Sequence, residues 1–170
     1  MMKMDPELNV YGDPIEPCSF SPVTGFFRDG HCNTCKEDQG SHTVCAVMNE
    51  EFLAFSKYVG NDLSTPMPAY GFDGLKAGDS WCLCAGRFLQ AHDEGCAPTV
   101  NLHATHQRAL EIVPLEVLEQ YAVQEWSWSG RFKRPPHTAH VPSACRISKG
   151  FEQRPRRRII CGVIFRMPLH

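Results

Sequence analysis

The chain reads as a small α/β or α+β domain, a short sheet packed with helices behind a long N-terminal loop; a small β-barrel with peripheral helices is the alternative. Three observations predict this. Short runs rich in apolar and β-branched residues alternate with helical spacing. Long stretches of Gly, Pro, Asn and Asp separate them. A break in charge then sets one compact unit apart from a basic tail.

The elements follow in chain order. Residues 9–41 are dense in turn signals, from Tyr11-Gly12-Asp13-Pro14 to Asp29-Gly30, and read as irregular loop. His42–Met48 reads as a strand. Asn49 can cap a helix over about 49–59, with Glu50 and Glu51 placed well against its N-terminus, Phe52, Phe55 and Val59 on one face, and Gly60 as its stop. Residues 61–78 form a second loop. Ser80–Ala85 is apolar on both faces and reads as a central, buried strand. A helix over Arg87–Asp93 ends at Gly95, Thr99–His103 is a third strand, Thr105 can cap a helix over 106–112, and Pro114 suits the first turn of a helix over 114–122.

With 170 residues, 42% of them hydrophobic, the chain can bury a core. No run approaches the ~18 apolar residues of a membrane span, and no apolar segment follows the N-terminal Met-Met-Lys. The composition therefore predicts a soluble, cytoplasmic protein without a membrane partner. Nine cysteines are many for such a protein, yet the odd count and missing leader favour reduced thiols or metal ligands over a disulfide framework. Residues 1–122 hold 7 Lys+Arg against 17 Asp+Glu, whereas residues 123–170 hold 10 against 2. A domain over 9–122 and a separate, disordered or divergent tail over 123–170 follow. Arg131-Phe-Lys-Arg134 and Arg154-Pro-Arg-Arg-Arg158 make that tail the one place for nucleic-acid contact, though it has no binding fold.

Several blocks stand in order: Asn9-Val-Tyr-Gly-Asp-Pro-Ile-Glu-Pro-Cys18, Thr24-Gly-Phe-Phe-Arg-Asp-Gly30, Cys32-Asn-Thr34, His42-Thr-Val-Cys-Ala-Val47, Gly60-Asn-Asp-Leu-Ser-Thr-Pro66, Trp81-Cys-Leu-Cys-Ala85 and Ala104-Thr-His106. Over about residues 9–122 this resembles a mostly bacterial family known as domain of unknown function 2237. The resemblance implies one small cytoplasmic domain and no settled activity. Cys35 stands where the family pattern has Gly, and residues from Val123 onward have no counterpart in it.

Among the cysteines, Cys32-Asn-Thr-Cys35 beside His31 has the spacing of half a zinc knuckle or of a redox pair, but no second Cys-x-x-Cys completes it. Cys82 and Cys84 are two apart along a strand, about 6.6 Å, against about 3.8 Å between thiolates on one zinc. Cys45, Cys82 and Cys84 therefore read as small buried core residues rather than disulfide partners. His42 and Cys45, an odd number apart, face opposite sides.

Chemistry converges instead between loops. The first supplies Arg28, Asp29, Cys32, Asn33 and Thr34, the second Asn61, Asp62, Ser64 and Thr65, with His42 at a strand edge and His106 opening a helix. Arg28, Cys32, His42 and Asp62 are expected around one cavity, because a helix returning along its strand brings both loops to one edge. The opposite edge, near Asn49 and Ala85, is the alternative. The leading reading is a polar, thiol-containing site for a small anion, a metabolite or a divalent metal such as zinc. The runner-up is an enzyme with Cys32 as nucleophile and His42 or His106 as base. A non-catalytic interaction module is the third. Against all three stands the possibility that these polar residues make the Asx turns and caps that hold long loops together.

Overall fold

The computed structural model describes residues 7–123. It has strands β1 (Val44–Val47), β2 (Ser80–Leu83) and β3 (Thr99–Val100), and helices α1 (Glu50–Tyr58), α2 (Ala85–Asp93) and α3 (Leu115–Glu119). The strands form one open antiparallel sheet in the order β2-β1-β3. This is an α+β fold, and the open sheet replaces the barrel alternative. No helix among the described residues is long and apolar enough to cross a membrane. The tail from residue 124 on, with its two basic clusters, lies outside the described residues.

Local chemistry accounts for the helices. The Asn49 side chain accepts the Phe52 N–H at 2.7 Å, satisfying an orphan donor of the first turn of α1, and Gly60 follows the helix at φ 88°. Beyond β3 two expectations change. Thr99–His103 is strand only at Thr99–Val100; Asn101 then caps a 3₁₀ turn over Leu102–Ala104. The segment expected as a helix over 106–112 is a 3₁₀ helix, Gln107–Glu111, and its cap is the His106 side chain rather than Thr105. Thr105 is used elsewhere, its hydroxyl accepting the Cys45 N–H at 3.1 Å.

The sheet has two covered faces. Val44, Ala46, Trp81, Leu83 and Val100 meet the helices in the main core with Phe52, Phe55, Phe88, Val113 and Leu118. Cys45 and Cys82 point the other way, into a second cluster with Cys32, Ala104, Ile15 and Cys18. The long N-terminal loop thus covers the face opposite the helices. Two disulfides bind it to the sheet, Cys18–Cys45 to β1 and Cys32–Cys82 to β2. In the chain-entropy view, closing loops of 27 and 50 residues stabilises by roughly 3.5 and 4 kcal/mol.

β2 lies at the edge of the sheet, not at its centre as its two apolar faces suggested; the central strand is β1. Loop cover explains the hydrophobicity. Thr24, fully buried, accepts the outward Cys82 N–H on its hydroxyl at 2.8 Å, so the loop satisfies the edge that no fourth strand pairs.

Candidate functional site

A small open cleft of about 50 Å³ runs along that edge. Its floor is Trp81, Cys82, Leu83 and Cys84. Thr24, Gly25, Phe26 and Arg28 of the first loop form one wall, Asn61 and Leu63 of the second loop another, and His42 closes the end. The two loops do meet beside the start of β1, and Arg28, His42 and Asn61 come together there. Asp62 and Cys32 do not line the cleft; Cys32 reaches it only through its bond to Cys82.

Gly25 is required by the turn that shapes the wall, since at φ 98° a Cβ would collide with the His31 carbonyl. Arg28 adopts φ 57°, a left-handed conformation that a non-glycine residue adopts at a cost of about 1–2 kcal/mol. That backbone carries its guanidinium over the Trp81 ring, 5.2 Å from the centroid, while Nη1–H donates to the Val23 carbonyl at 3.3 Å. Burial lowers the Arg28 pKa below its ordinary value, and the group remains a cation at neutral pH.

His42 is fixed from behind by a residue that sequence reasoning did not single out. Asp38, its side chain 1% exposed, accepts the His42 Nδ1–H at 2.6 Å, the His42 backbone N–H at 2.8 Å and the Thr34 hydroxyl at 3.0 Å. Burial alone would raise the Asp38 carboxyl; the bonds from His42 and Thr34 and the His42 charge outweigh it and hold the pKa below its ordinary value. With Nδ1 engaged, Nε2 is the ring nitrogen left for a ligand. Phe26 stacks on the ring at 6.3 Å and an interplanar angle of 30°. Asp38 lies four residues before His42, and that spacing was the available signal.

Most other expected ligand residues hold turns. Asp62 accepts both the N–H and the hydroxyl of Ser64 and of Thr65, which, led by the Thr65 hydroxyl, keep its pKa well below the carboxylate range. Asp29 accepts the His31 N–H and the Asn33 amide. Thr34 supports Asp38, and Asn61, though in the cleft wall, donates its amide to Ser56. His106 is buried at the far end of the loop: its Nδ1 accepts the Arg108 N–H at 3.0 Å, so Nε2–H faces the Glu7 carboxylate at 2.6 Å. It caps a turn and stands apart from the cleft.

The cysteines depart furthest from expectation. Cys45, Cys82 and Cys84 are buried as expected, at 1%, 2% and 6% exposure, but each is disulfide-bonded, as is Cys96. Cys32, expected as an accessible thiol, is fully buried and bonded to Cys82. Among the described residues Cys35 is the free cysteine, so the Cys32-x-x-Cys35 pair does not act as a unit. The odd number of cysteines had argued for reduced thiols, but a count does not report which side chains touch. The sulfurs of Cys18, Cys32 and Cys82 lie within 4.8 Å of one another, close enough to share a metal ion.

The fold and the cleft define a small α+β domain whose N-terminal loop is tied to its sheet by disulfides. Residues 8–122 match the family described as "Uncharacterized protein conserved in bacteria (DUF2237)", and the chain belongs to it. No curated protein matches the chain.

Proposed function

We propose that the domain binds a small oxyanion, the phosphate or carboxylate group of a metabolite, in the cleft between its two loops. The observation that carries this reading is the pairing of Arg28, held at φ 57° above Trp81, with the Asp38-oriented His42 in a cleft whose lining residues include no carboxylate. A guanidinium offers a planar fork to an oxyanion, and an imidazole oriented through Nδ1 offers one more nitrogen. The volume of about 50 Å³ suits a small group rather than a whole cofactor.

Calorimetric titration with inorganic phosphate and with acetate tests this, using the full chain and Arg28→Gly. Glycine relieves strain of about 1 kcal/mol while forfeiting a cation–π contact of about 0.5–1 kcal/mol, so the variant should fold with near-unchanged stability. The expected result is saturable binding by the parent chain, weakened at least ~tenfold in the variant, as loss of a charged hydrogen-bond donor implies. Equal binding by both, or none by the parent, overturns the proposal.

The Asp38–His42 pair supports a second reading, in which His42 is a general base acting on the bound anion. A nucleophilic role for Cys32 in such an enzyme requires reduction of its bond to Cys82 first. Turnover that His42→Gln abolishes while phosphate still binds would favour this reading over simple binding.

A further inference from the structure

We propose that the four cysteines joining the loop to the sheet form a second, redox-gated site: once reduced, Cys18, Cys32, Cys45 and Cys82 bind one zinc ion as a tetrathiolate. The sheet supplies the first half of the geometry. Cys45 and Cys82 are direct cross-strand partners. Neither backbone N–H points at the other strand, because Cys45 donates to the Thr105 hydroxyl at 3.1 Å and Cys82 to the Thr24 hydroxyl at 2.8 Å. This makes the two a non-hydrogen-bonded pair, the kind in which opposed side chains stand closest, on one face of the sheet. Two adjacent strands thereby present two sulfurs side by side, which Cys82 and Cys84 on a single strand cannot do.

The loop supplies the other half. Cys18 lies over Cys45 with Cα atoms 5.7 Å apart, and Cys32 over Cys82 at 5.3 Å. The sulfurs of Cys18, Cys32 and Cys82 already fall within 4.8 Å of one another, and Cys45 is bonded to the first of these. Tetrahedral zinc with bonds of about 2.3 Å needs sulfurs about 3.8 Å apart, so among Cys18, Cys32 and Cys82 the unbonded sulfurs draw together by about 1 Å or less, and each disulfide pair opens to that spacing once reduced. Cys32, Cys45 and Cys82 are nearly solvent-free, and a site closed by four protein ligands is the structural type of zinc centre. The bound complex would be doubly negative, and Arg28 lines the cleft whose floor includes Cys82.

The chemistry balances with a phosphine as reductant. Each disulfide takes two electrons from one phosphine, whose phosphorus gains the oxygen of one water to become the oxide, and two thiols form. Four thiols then release four protons as their sulfurs bind Zn²⁺. Either covalent state, two disulfides or one tetrathiolate centre, ties the same loop to the same two strands.

Cobalt(II) titration of the full chain reduced with a water-soluble phosphine tests this. The expected result is one tetrahedral thiolate-cobalt chromophore per chain, displaced by zinc. Cys35→Ser should leave it intact. Cys18→Ser and Cys82→Ser should each lower the affinity by more than the roughly tenfold that loss of an outer-shell partner brings. Should these variants fail to fold, alkylation of the reduced parent chain with and without zinc, read by mass spectrometry, decides instead. Zinc must protect Cys18, Cys32, Cys45 and Cys82 as a set. Absence of the chromophore, its survival in both serine variants, or protection of a different set of cysteines overturns the proposal.

Discussion

Asp38→Asn isolates what positions His42. The parent carboxylate, nearly solvent-free, accepts three hydrogen bonds, at 2.6, 2.8 and 3.0 Å, from the His42 ring, the His42 backbone and Thr34. The amide is isosteric, but it removes the charge from all three bonds and one acceptor oxygen. A charged bond is about twice as strong as a neutral one, so the loss is about 1 kcal/mol per bond and about 3 kcal/mol in all. For a domain of this size that lowers the Tm by about 10 °C. The effect has a sign in pH. The folded pKa of Asp38 lies below its ordinary value, so its stabilisation is complete above the unfolded value of about 3.9 and is lost as pH falls through the folded pKa. Urea unfolding of parent and variant from pH 7 down to pH 3 should show a stability gap that is full at pH 7 and narrows below about pH 4. A variant as stable as the parent at pH 7, or a gap independent of pH, would refute the assignment of Asp38 as the ionised support of His42.

Other substitutions separate support from binding. Thr24→Val leaves the buried Cys82 N–H at the sheet edge without its acceptor, and should cost about 1–3 kcal/mol in urea unfolding. His106→Ala removes a cap and the bond to Glu7, and should cost about 2–4 kcal/mol while leaving phosphate affinity unchanged, since His106 stands apart from the cleft. A chain ending at Val123 should unfold within about 0.5 kcal/mol of the full chain, because the charge break and the helix ending near Ala122 put the domain boundary there. Unfolding of the shortened chain in the absence of urea would count against that boundary.

The sequence made the local parts of this architecture legible and the tertiary parts only partly so. The Asn49 cap, the Phe52/Phe55 face and the Gly60 stop of α1 are local signals, and the helix forms where they put it. Asn61 could be brought to Arg28 and His42 by topology, because a loop before β1 and a loop after α1 come to the same edge. The rank of β2 within the sheet was not legible: an edge strand covered by a loop has the same apolar pattern as a central one. Nor was the cysteine pairing. Opposition of Cys45 and Cys82 depends on strand register, and Cys18 lies in a loop whose path no periodicity encodes. The polar residues around Asp29 and Asp62 look alike in sequence whether they close turns or bind ligands, and here they close turns.

The most direct test of the cleft as an anion site is the imidazole nitrogen spectrum of the full chain during titration with inorganic phosphate. The account predicts that His42 Nε2 shifts and saturates with phosphate while Nδ1, held by Asp38, moves little, and that Arg28→Gly abolishes the change. A His42 ring that does not respond, while His31 or His103 does, would contradict it.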